Sequence, residues 1–155
     1  MKTLILYLIL SHVPIYVSDQ VEAAFTRWAS YESFRVERVQ PADTDPDVIV
    51  VDYADLPGSR LGEAYCRCWG HEQNRIVIDI RAWEPDALMN VIMHEIGHIV
   101  LAQYAHSYTR FDLMTPSITR PYLLRLHWNN INKLVEIYGA ARVIPQFTTQ
   151  PNFRP

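Results

Sequence analysis

Two imidazoles four residues apart, His94 and His98, with the Glu95 carboxylate beside the first, carry the clearest chemistry in this chain. On an α-helix, positions i and i+4 stack on one face, so both rings can reach a single metal ion while Glu95 projects to its flank. Neutral imidazole nitrogens bind Zn²⁺ at about 2.0–2.1 Å, and a catalytic site leaves one position for a water whose pKa the metal lowers to about 7. A carboxylate beside that water can take its proton and hand it on, which makes Glu95 the candidate general base and acid. The spacing H-E-x-x-H therefore points to metal-assisted hydrolysis. The plain alternative is a helix with two hydrogen-bonded core histidines.

The surrounding sequence must supply that helix. From Pro85 to about Gln103 it does: Pro85 suits a first turn, and Ala87, Leu88, Met89, Val91, Ile92, Met93, Ile96, Ile99, Val100 and Leu101 are apolar on nearly every face. A helix apolar almost all round is buried. Two histidines and a glutamate on it need partners, since unpaired burial costs several kcal/mol, and a metal supplies one.

The third ligand must come from beyond the helix. His106-Ser107 follows, and then Leu113-Met114-Thr115-Pro116-Ser117. With the motif before it, this stretch resembles the metzincins, and within them the matrixins, the matrix-metalloproteinase family, whose pattern is H-E-x-x-H-x-x-G-x-x-H-S and then a methionine turn. The resemblance implies one catalytic Zn²⁺ held by His94, His98 and His106, Glu95 as catalytic base, and Met114 as an apolar floor. It departs at one place: Leu101 stands where the family has glycine, and Tyr104 where it has the third histidine. A two-residue insertion accounts for this, with a longer helix, a chain reversal under less strain, and His106 in the third place. Tyr104, Asp112 or a more distant acid such as Glu136 are the rival ligands.

The likeness covers most of the chain. Val21, Ala24, Phe25 and Trp28 have helical spacing, with Ser18 as N-cap and Asp19 and Glu22 in the first turn. Asp47–Tyr53 and Arg75–Ile80 read as strands, and Asn129–Tyr138 as a final helix closed by Gly139. The fold expected is α+β, of the metzincin type, with a small twisted mixed sheet, a first helix, a zinc helix and a C-terminal helix. Residues 1–140 form one domain of that kind, and 141–155 an irregular tail rich in proline.

Leu61, Gly62, Glu63, Ala64 and Tyr65 fall where matrixins carry the edge strand that pairs with an extended peptide, which makes a peptide or protein the expected partner. By the same analogy Pro116, Ser117 and Ile118 wall the primed-side pocket, with Asn90 and Val91 near its base. The expected activity is that of a zinc endopeptidase. The alternatives are a zinc-stabilised binding or toxin-like module without turnover, and a metallopeptidase of another class with an acidic third ligand.

Charge and cysteines bound the rest. At 155 residues and a net charge of −3, the chain offers no basic footprint for nucleic acid, and no membrane partner is expected of what reads as a monomer. The acidic cluster Asp43, Asp45, Asp47, Asp52 and Asp55 admits Ca²⁺, which matrixins use structurally, or is a solvated loop with strand-end aspartates. Cys66 and Cys68 are too close in sequence for an easy bridge, so free thiols are expected. The run Thr3–Leu10 reads as a first strand rather than a secretory signal. Secretion follows only from the family analogy, and the compartment stays open.

Overall fold

The structure is a computed structural model, and it describes residues 2–31, 33–41, 45–107, 112–116 and 124–139. Three apolar runs, β1 (Thr3–Ile9), β3 (Ile49–Ala54) and β5 (Arg75–Asp79), are near-continuous in Val, Ile and Leu, the composition of strands covered on both faces. They lie side by side and parallel at the centre of a five-stranded sheet ordered β2-β1-β3-β5-β4. β2 (Phe34–Arg38) joins β1 in parallel at one edge. Its sequence carries little strand signal of its own, since three of its five residues are charged. β4 (Gly62–Tyr65) forms the other edge, antiparallel to β5, with Gly62 opposite Ile78 and Glu63 opposite Val77.

Helix α1 (Ile15–Ala29) starts earlier than its sequence suggests. Its N-cap is Pro14, whose carbonyl accepts from the amides of Val17 and Ser18, and no acid lies in the first turn. Ser18 is therefore buried inside the helix and is not its cap. A proline φ already near the helical value lets the first turn form without a side-chain acceptor. Val17, Val21, Ala24, Phe25 and Trp28 are fully buried, and Phe25 stacks on Tyr7 of β1.

Helix α2 (Pro85–Val100) carries the H-E-x-x-H residues, with Pro85 in its first turn and the Glu84 carboxylate accepting from the Ala87 amide at 2.8 Å. It packs on α1, β4 and β5. The Trp28 indole N–H donates to the Met93 carbonyl at 3.0 Å, tying the two helices one residue before the first histidine. Helix α3 (Trp128–Tyr138) ends at Gly139, at φ 92, and its Tyr138 hydroxyl donates to the Val100 carbonyl at 2.7 Å. That bond satisfies one of the open carbonyls at the end of α2. The architecture is α+β, with a mixed sheet and three helices among the described residues. No helix among them is long and apolar enough to cross a membrane.

The described acids of the 43–55 segment gather no common site. Asp47 pairs with Arg67, Asp52 with Arg75 and His12, and Asp45 accepts from the Asp47 amide. The carboxylates are used one by one by cations and turns, so the described acids form no calcium cage; Asp43 lies outside the described residues. The cysteine expectation is also overturned: Cys66 and Cys68 form a disulfide. Cys66 is extended and caps a single 3-10 turn, Arg67–Trp69, that curls Cys68 back until the two Cα atoms are 5.1 Å apart, within ordinary bridging distance.

Candidate metal centre

His94 and His98 are aimed by main-chain carbonyls that the helix itself does not provide. His94 Nδ1 lies 2.8 Å from the Leu113 carbonyl and His98 Nδ1 lies 2.6 Å from the Gln103 carbonyl. A carbonyl only accepts, so each Nδ1 carries the proton and each Nε2 presents a lone pair. The two Nε2 atoms face one another at 2.9 Å. Two bare lone pairs repel at that distance unless a cation lies between them. Two nitrogens each bound at about 2.05 Å to a tetrahedral ion sit roughly 3.3 Å apart, so the pair need open by only a few tenths of an ångström to seat one.

His106 completes the group. Its ring stacks at 5.1 Å from that of His94 and meets that of His98 at 5.0 Å. One nitrogen from each of the three rings lies within 4.8 Å of the others, two of the rings buried and the third exposed. Among the described residues no other cluster of three His, Cys, Asp or Glu side chains has such geometry. The rival acids lie elsewhere, since Glu136 is exposed on α3 and Asp112 is committed to other bonds. Three imidazoles with an open side can hold a metal ion, and outer carbonyls on the remaining ring nitrogens are a usual support for such ligands. No family model matches the chain, and no curated protein matches it.

The connection to His106 is built differently from the sequence expectation. The helix stops at Val100 rather than near Gln103, with Leu101 as C-cap. Ala102 then turns left-handed at φ 47, while the Ala102 amide donates to Ile99 and the Gln103 amide to His98, both at 3.0 Å. These are the two bonds of a Schellman closure, a motif that normally places glycine where Ala102 stands. The reversal is therefore not relieved of strain; the strain has moved onto an alanine. Its fixed geometry is also what delivers the Gln103 carbonyl to His98. Ala102→Gly should raise stability by about 1 kcal/mol, read as a higher denaturant midpoint at unchanged slope.

Met114 is fully buried, and a Cβ added at Gly97 would fall 2.5 Å from its sulfur and 3.0 Å from Trp28. Met114 thus packs on the helix at the residue between Ile96 and His98, where only glycine leaves room. The turn that carries it is tight: the Thr115 amide donates to the Asp112 carbonyl at 3.1 Å, and Ser107 donates to the Met114 carbonyl at 2.7 Å. Buried Asp112 anchors it, accepting from the amides of Met114 and His127 and from the Asn130 side chain. Its position two residues before the methionine is the one cue the sequence offered to this role.

Glu95 is nearly fully buried, against β4. A Cβ at Gly62 would overlap its carboxylate, 2.6 Å from Oε1. Of the residues expected to bind substrate, Gly62 thus touches the candidate base directly, while Glu63 pairs with exposed Arg60 at 2.9 Å and Leu61 and Ala64 pack partly on the core. Asn90 is buried, and its side chain accepts from the Leu124 amide at 2.8 Å. Pro116 is exposed at the end of the methionine turn; Ser117 and Ile118 lie outside the described residues.

Burial, with Glu63 nearby, pushes the Glu95 carboxyl up to about 8 in the metal-free protein. Burial, with His98 alongside, holds His94 down to about 3, and burial also lowers His98 and His106. The two signs oppose each other. A histidine depressed when folded contributes stability that is present above its unfolded value and lost as pH falls, whereas a raised carboxyl contributes stability lost as pH rises toward 8. Above about pH 6.5 the histidine contribution approaches its full value as the unfolded rings lose their protons, while the Glu95 contribution falls. Metal-free wild type should therefore lose about 2 kcal/mol relative to Glu95→Gln between pH 6.5 and pH 8, read as the difference between denaturant titrations of the two proteins at both pH values.

Proposed function

We propose that this protein is a zinc-dependent endopeptidase with a metzincin, matrixin-like catalytic domain. The reading rests on one observation: two buried imidazoles with their Nδ1 protons committed to carbonyls turn bare Nε2 atoms toward each other, and a third ring closes the group. A set of three histidines with a free side suits catalytic zinc, and the buried glutamate next to the first ligand suits a hydrolase.

His94, His98 and His106 would hold the zinc, which would supply Lewis-acid polarisation of a scissile carbonyl and a water acidic enough to lose its proton near neutral pH. Glu95 would take that proton and later return it to the leaving amine. Its burial between α2 and Gly62 keeps bulk water from competing for it. β4, an edge strand with β5 as its neighbour in the sheet, offers its open side to an extended peptide by main-chain pairing. The substrate is thus a peptide or protein. The Cys66–Cys68 disulfide accords with an oxidising compartment.

The alternative of a metal-stabilised module without turnover keeps the histidines but gives Glu95 no task. Digestion of a peptide library by zinc-loaded wild type separates the two: cleavage that disappears with a chelator and returns with Zn²⁺ is expected, and an intact library would remove the peptidase reading.

A further inference from the structure

Two aromatic rings flank the histidine group, Trp69 against His98 and Tyr104 against Trp69. Trp69 ends the single 3-10 turn that follows β4, and its ring meets the His98 ring edge-on at 6.1 Å. Tyr104 comes from the other side, out of the connection between His98 and His106, and meets Trp69 at 5.2 Å with the planes 89° apart. Trp69 is anchored: its inner part packs on the core, the Cys66–Cys68 bond closes the turn before it, and left-handed Gly70 ends that turn. Tyr104 is 77 % exposed. A large ring left in water next to a reactive centre, braced by a second ring at right angles, makes an open corner.

We propose that Trp69 and Tyr104 form a substrate subsite that receives an aromatic side chain within two residues of the scissile bond. The inference rests on the peptidase reading above. A peptide laid along β4 advances about 3.3 Å per residue, and the turn bearing Trp69 begins where β4 ends. With the Trp69 ring 6.1 Å from that of a metal ligand, the side chain that meets it belongs to a residue near the cleaved bond. Two perpendicular rings offer a face to one side of a third ring and an edge to another, the arrangement aromatic pairs prefer. A lysine or arginine side chain is disfavoured there, because a dication held by the three histidines would repel it.

The test is cleavage of a peptide series in which each position within two residues of the scissile bond carries Phe, Leu, Ala or Arg, with kcat/KM measured on zinc-loaded protein. Wild type should prefer Phe over Ala by tenfold or more at one position. Tyr104→Ala should reduce that ratio to threefold or less, and Tyr104→Phe should keep it. Because Tyr104 is solvent-exposed, its variants keep the question open to measurement even where Trp69→Ala fails to fold. Cleavage with the Phe:Ala ratio unchanged in Tyr104→Ala, or with Arg preferred at that position, overturns the subsite alone. Failure of wild type to cleave any peptide overturns the peptidase reading and the subsite with it.

Discussion

Glu95→Gln should bind zinc one to one, keep the wild-type fold and cleave peptides about 10²–10⁴-fold more slowly, the range expected when a positioned general base is lost. The amide has nearly the size and shape of the carboxyl, so it fills the same space against Gly62 and on α2. It is also neutral, as the carboxyl is in the metal-free protein, where burial raises it to about 8. Nothing in the packing is disturbed by the change. What disappears is the ability to accept a proton once a dication has stabilised the carboxylate form. The measurement is kcat/KM on one cleaved peptide, with zinc content and thermal midpoint taken on the same samples. Wild-type rates in the variant, with zinc retained, would leave Glu95 without a chemical role and defeat the mechanism.

Zinc supplied at a hundred times its Kd should stabilise the protein by about 2.7 kcal/mol. For a chain of this size that is an increase of roughly 5–10 °C in the unfolding midpoint. Replacing any of His94, His98 or His106 by alanine should remove most of the increase. His106→Ala is the decisive variant. Its ring is the exposed member of the three, so its loss leaves the metal-free fold little changed, whereas His94→Ala and His98→Ala also strand the carbonyls of Leu113 and Gln103. Calorimetric titration of the metal-free proteins with ZnCl₂ reads the affinity directly. Unchanged affinity in His106→Ala would mean that the third ligand comes from elsewhere, and the matrixin-like reading would lose its closest point of likeness.

The hydrophobic runs of β1, β3 and β5 and the helical spacing of α2 were readable because each is a local property of the chain. β2 escaped notice because a short, charged strand takes its structure from the neighbour it pairs with, here β1. The start of α1 is not legible in the sequence, because Ser18 has the residue type of a cap while the true start at Pro14 uses no side-chain cap.

The same division runs through the candidate site. That His94 and His98 share a helix face, with Glu95 between them in sequence, follows from the pitch of an α-helix alone, and His106 and Met114 are visible as a spaced pattern. Tertiary structure decided the rest: which ring nitrogens keep their protons, set by carbonyls of Leu113 and Gln103; why position 97 must be glycine, set by Met114; what surrounds Glu95, set by Gly62 of the edge strand β4. It also turned a cysteine pair that looked too close to bridge into the brace of Trp69, and drew the strain of a missing glycine onto Ala102. Spacing along one helix is fixed by backbone geometry, but protonation and close approach depend on atoms brought from distant segments, and those distances exist only once the chain has packed.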